Sequence, residues 1–92
     1  MKFKWGIAFS VEGLVFVAAC TGQAARAMLI AGGTFALRQA IGIPLSSVAQ
    51  ADFERMLSPA RTLLGEEIAE QVWAKGLNLK IEQTVAEAQE VI

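Results

Sequence analysis

The chain has 92 residues, 54% of them hydrophobic and 18% charged, with a net charge of −1; this is one domain carrying more apolar surface than a core of its size readily hides. It contains no His, no Tyr and one cysteine, Cys20, which removes the usual carriers of catalytic proton transfer, a disulfide framework and any multi-cysteine metal site. The reading is therefore of a non-enzyme without cofactor, and the basic residues before Leu45 (Lys2, Lys4, Arg26 and Arg38) are too scattered for a nucleic-acid footprint.

Lys2 and Lys4 precede an apolar run over 5–19 that closes on Val17-Ala18-Ala19-Cys20. That is the outline of a bacterial lipoprotein signal, with segment 1–19 removed and Cys20 lipidated. Glu12 in mid-run, with Gly6 and Gly13, opposes it. The other reading is an internal helix with Val11, Leu14, Val15 and Ala18 on one face and Glu12 on another. The run falls short of the roughly 20 residues a membrane span needs. Ile7, Phe9, Phe16 and Val17 lie off the Val11 face, so one helical neighbour cannot cover the segment; Phe9, Phe16 and Val17 are the candidate interaction residues, and the isolated chain is expected to pair with itself as a homodimer.

Thr21-Gly22-Gln23 turns the chain into a second, antiparallel helix over 24–41, with Ala24, Ala27, Met28, Ala31, Phe35 and Arg38 on one side. Gly32-Gly33 in its middle costs about 1 kcal/mol per glycine relative to alanine, for either a close backbone approach or a kink. Gly42 ends the helix and Ile43-Pro44-Leu45 is an extended connector. Ser46 and Ser47 are both candidate N-caps, and Ser47 with Gln50 makes a capping box for a third helix. Its core face is Phe53, Met56, Leu57, Ala60 and Leu64, while Pro59 predicts a kink or break between 55 and 59. Met28 and Met56 fill gaps in the core.

The stretch 57–91 reads as the part around which the rest is organised. Gly65 ends the third helix, Glu66 and Glu67 open a fourth, and Gly76 after Lys75 ends that. Trp73, with Ile68, Ala69 and Val72, forms a stripe as a buried structural anchor; Ile81, Val85, Ala88 and Ile92 form a second stripe facing it. The carboxylates Glu66, Glu67, Glu70, Glu82, Glu87 and Glu90 lie on solvated faces or at helix N-termini, without metal-ligand spacing.

Two runs of residues carry a resemblance. Glu12-Gly13-Leu14, Ala18-Ala19, Gly22-Gln23, Ala27, Leu37-Arg38 and Ile41-Gly42-Ile43-Pro44-Leu45, then Phe53-Glu54, Ala60-Arg61, Leu64-Gly65-Glu66-Glu67, Trp73-Ala74-Lys75-Gly76 and Ile81-Glu82-Gln83, are similar to the C-terminal helical region of bacterial LuxR-type regulators that join a predicted ATPase to tetratricopeptide-like repeats. The resemblance implies an all-α domain of about five helices in one unit, 1–92. A tetratricopeptide-like pair would occupy 5–42 and capping helices 46–92. Leu14 would lie on the packing face of the first helix and Ala27 at the close-contact point of the second. It implies a cytoplasmic protein-interaction module of a transcription regulator, with the preceding repeats of a longer chain as partner. Gly32-Gly33-Thr34, Pro59 and Lys80 depart from the pattern, Lys80 standing where a Ser or Thr N-cap is common. The sequence holds neither a phosphate-binding loop nor a helix-turn-helix reader, so ATP and DNA binding do not carry over.

Overall fold

A computed structural model describes the backbone of residues 2–91 and the side chains of residues 11–91. Five helices follow one another, α1 (Lys2–Cys20), α2 (Ala24–Ile41), α3 (Ser47–Leu64), α4 (Glu66–Leu77) and α5 (Ile81–Gln89). The protein is all-α, with no strand among the described residues.

The turns are made where the sequence places them. Gly22 at φ 78° lets the Gln23 N–H reach back to the Ala18 carbonyl at 2.9 Å, and Gly42 at φ 74° lets the Ile43 N–H reach Arg38 at 3.0 Å. Both close the six-to-one loop that stops a helix when its next residue turns left-handed. With only three residues between them, α1 and α2 run antiparallel. Gly65 ends α3 and opens α4.

The organising element is α2, which packs on all four other helices, and not the stretch 57–91. Its buried residues cover most of the helix's circumference: Ala24, Ala27, Met28, Ala31 and Arg38 on the predicted side, and Ile30, Gly32, Gly33, Thr34 and Leu37 off it. A helix apolar all round has no single face for periodicity to report. Glycine lets the neighbours in. A Cβ on Gly32 would stand 2.5 Å from the Trp73 carbonyl oxygen and 3.1 Å from the Gly76 Cα, and one on Gly76 would run into the Leu29 carbonyl. Helix α2 is continuous through Gly32-Gly33, so of the two readings the close approach holds. Gly76 lies inside the last turn of α4, capped by Asn78, and serves that approach rather than ending the helix.

The α4 and α5 stripes do not face each other; both helices lie on α2. From α5, Ala88 and Thr84 are buried, with Thr84 against Gly33, while Ile81 and Val85 are half-buried; the expected fourth member, Ile92, lies outside the described residues. The Thr84 hydroxyl has no hydrogen-bond partner. Helix α5 starts after Lys80 as expected, and the Lys80 N–H is held by Gln83 Oε1 at 2.9 Å.

Ser46, one of the two candidates, is the N-cap of α3, its Oγ accepting from the Ala49 N–H at 3.2 Å. Two details of α3 differ from expectation. The capping box of Ser47 with Gln50 is absent, since Gln50 reaches forward to Glu54. The helix also runs unbroken through Pro59. Pro59 is exposed, so its ring displaces nothing in the core, and the cost is confined to the backbone bond it cannot make. The core joins Val11, Val15 and Ala18 of α1, Ala27, Met28, Ile30 and Ala31 of α2, Leu57 and Ala60 of α3, and Ala69 and Ala88 of the last two helices. Met28 is fully buried, whereas Met56 only packs against the core edge.

Candidate interaction surface and the buried ion pair

Helix α1 buries Val11, Val15 and Ala18 against α2, which turns Phe16 outward at 55% exposure. Of the three candidate interaction residues, Phe16 is therefore displayed, Val17 is half-buried and packed at the edge of the core, and the Phe9 side chain lies outside the described ones. Beside Phe16 a groove of about 440 Å³ runs between α1 and α3, lined by Ala19, Cys20, Met56 and Pro59 and edged by Asp52 and Arg55. The Cys20 thiol is free and exposed at its end. Helix α3 adds two exposed side chains that sequence reasoning missed, Val48 at 73% and Leu63 at 72%. They lie off the Phe53-Leu57-Ala60-Leu64 face, and the signal was that an apolar residue at either position has no place in that stripe.

Of the expected anchors, Ala27 is fully buried and Leu14 half-buried against the core. Trp73 is half-buried rather than enclosed. Its ring meets Phe35 at 5.6 Å between centroids and a 54° tilt, an arrangement aromatic quadrupoles favour. Its stripe partner Ile68 is 51% exposed, because α4 turns the Ala69 and Gly76 side toward α2. Phe35, Phe53 and Trp73 line a shallow groove between α3 and α4, edged by Arg61 and Glu70.

The most enclosed ion pair among the described residues is one the sequence did not pair. Glu12, expected on a face other than that of Val11, holds Arg38 bidentately: Arg38 Nη2 donates to Oε1 at 2.8 Å and Nε to Oε2, while Nη1 donates to the Ile43 carbonyl at 3.0 Å. The two side chains are 10% and 16% exposed. The hydrogen bond to Glu12 raises the Arg38 pKa above the ordinary arginine value, with burial opposing. A raised pKa contributes stability at every pH below the ordinary arginine range, lost only as pH climbs through the folded value. The pair ties α1, α2 and the connector together. It also walls a cavity of about 80 Å³ with Phe35, Leu45, Gln50 and Phe53, space for a few waters.

Glu87 pairs with Arg26 at 3.4 Å, and Glu70 with Arg61 at the same distance. Among the described residues no cluster of three His, Cys, Asp or Glu stands ready for a metal, and no helix is long and apolar enough to cross a membrane. What this arrangement offers chemically is apolar contact edged by paired charges. Compared with family models, with characterised proteins and with solved structures, the chain matches none.

Proposed function

We propose that this chain is a non-catalytic helical scaffold that works through its apolar helix faces, as the C-terminal cap of a helical-repeat array in a cytoplasmic, LuxR-type regulator of transcription. The observation that carries the reading is the exposed apolar face around Phe16, with its groove between α1 and α3. Such a face on so small a domain is a contact surface waiting for a neighbour. In an array that neighbour is the preceding repeat; for the isolated chain it is a second copy. The alternative, an exported lipoprotein cleaved before Cys20, would strip Val11, Val15 and Ala18 out of the core, which favours the scaffold.

The test is the size and location of the native protein. An antibody raised against residues 43–92 should detect a soluble species far above 9.8 kDa. A band smaller than that mass in the membrane fraction, labelled by palmitate, would overturn the reading in favour of the lipoprotein.

A further inference from the structure

We infer that the cavity beside the Glu12–Arg38 pair is a binding site for a small neutral molecule that both accepts and donates hydrogen bonds, a short primary amide being the class that fits. The inference is independent of the scaffold reading and concerns a different part of the molecule from the Phe16 face.

The cavity lies where α1, α2, the connector after Gly42 and α3 meet. Glu12 and Arg38 supply its charged lining, Phe35, Leu45 and Phe53 its apolar lining, and the exposed Pro44 stands at its rim. A guanidinium carries five N–H donors. Among the described residues three of those on Arg38 are taken, two by Glu12 and one by the Ile43 carbonyl, on a side chain only 10% exposed. Each Glu12 oxygen accepts one of these bonds, and a carboxylate oxygen has capacity for a second. The pair therefore presents spare donors and spare acceptors side by side. An occupant that touches both groups offers an oxygen to Arg38 and an N–H or O–H to Glu12. Water can do this, and a ligand that displaces water gains affinity only by reproducing its hydrogen bonds.

Charge and size narrow the class. Glu12 already neutralises Arg38, so an anion would enter beside a carboxylate with no cation to spare, and a cation would meet the guanidinium. An enclosed charge without a partner of its own is costly, so the occupant is neutral. A cavity of roughly 150 Å³ takes benzene. The one here has about 80 Å³ and suits a molecule of about three or four non-hydrogen atoms. An alcohol must use one oxygen for both tasks. A primary amide has a carbonyl for the guanidinium, a separate NH₂ for the carboxylate, and a short alkyl end for Phe35, Leu45 and Phe53, the usual mixture of apolar walls and a few placed polar groups.

The test is titration of the whole chain with acetamide, read in ¹H–¹⁵N spectra. Amide shifts should be confined to the cavity lining and should saturate with a dissociation constant of about 0.1–10 mM, the range open to so small a ligand. Acetate, of the same shape but charged, should bind at least roughly tenfold more weakly, and benzamide should not enter. Leu45→Phe puts a ring into the space and should abolish saturation in a protein that still melts cooperatively. Leu45→Ala enlarges the space and should admit butyramide, which the parent excludes. Shifts that stay linear to about 100 mM, acetate binding as tightly as acetamide, or saturation that persists in Leu45→Phe would each overturn the proposal, leaving water as the occupant of the cavity.

Discussion

Gly76→Ala is the sharpest probe of how α4 is held on α2. The new Cβ would run into the Leu29 carbonyl and stand 3.1 Å from both the Gly32 Cα and the Gly33 nitrogen. Every obstacle is backbone, so no rotamer change relieves the clash and the two helices must separate. Overpacking of this kind costs typically 1–3 kcal/mol, and a backbone-only obstacle belongs near the upper end. Alanine returns about 1 kcal/mol of helix propensity. The net expectation is a loss of about 2 kcal/mol, which in a domain of this size lowers the thermal midpoint by roughly 8–16 °C. Far-UV circular dichroism melts would read it, with Gly13→Ala as the partner measurement. Gly13 is exposed inside α1 and its Cβ would meet nothing within 4 Å, so there the same substitution should stabilise by about 0.5–1 kcal/mol. A Gly76→Ala protein melting at or above the parent would refute the close-approach argument.

Three further outcomes are expected. Arg38→Met should destabilise by about 3 kcal/mol in urea titrations, because it leaves Glu12 partly buried without its partner; a loss below about 1 kcal/mol, the level of a surface pair, would mean that solvent reaches the pair freely. Trp73→Ala should cost about 2–3 kcal/mol, less than a fully enclosed tryptophan, since the ring is half-buried against Phe35; a midpoint within a few degrees of the parent would remove Trp73 from the anchors. Lys80→Ser puts a hydrogen-bond acceptor at the N-cap of α5, where the backbone is already extended, and should gain about 0.5–1 kcal/mol; an unchanged denaturant midpoint would count against that cap geometry.

Residues that act on their own backbone were legible in the sequence. Gly22, Gly42 and Gly65 take a positive φ and stop the helices before them, and the helix ends followed from them. Phe16 was legible as a displayed residue because periodicity on α1 is set mainly by α2, onto which Val11, Val15 and Ala18 pack. What was lost depends on where helices meet. Gly76 has the spelling of a terminator and the use of a contact point, and only the position of Gly32 distinguishes the two. Glu12 and Arg38 are separated by one helical hairpin, so their pairing waits on its register. The choice between Ser46 and Ser47 is one residue of helix start, decided by which side chain faces the Ala49 N–H. Helix α2 misled because its buried residues are spread around most of its circumference, so no single stripe stands out in the sequence.

That featureless helix implies an order of opening. The backbone amides of α2 are covered by four neighbours, so their hydrogens should exchange with solvent only when the whole domain unfolds. Helix α5 is only nine residues long, and its buried Thr84 hydroxyl has no partner, a deficit of about 1–3 kcal/mol that solvation on release would relieve. Peeling α5 away uncovers Gly33 and the sides of α1 and α2 on which it packs, but not the junction of α2 with α4, so its amides should exchange first and without loss of the glycine contact between α2 and α4. The domain would then breathe at its C-terminal end while its glycine junction stays shut.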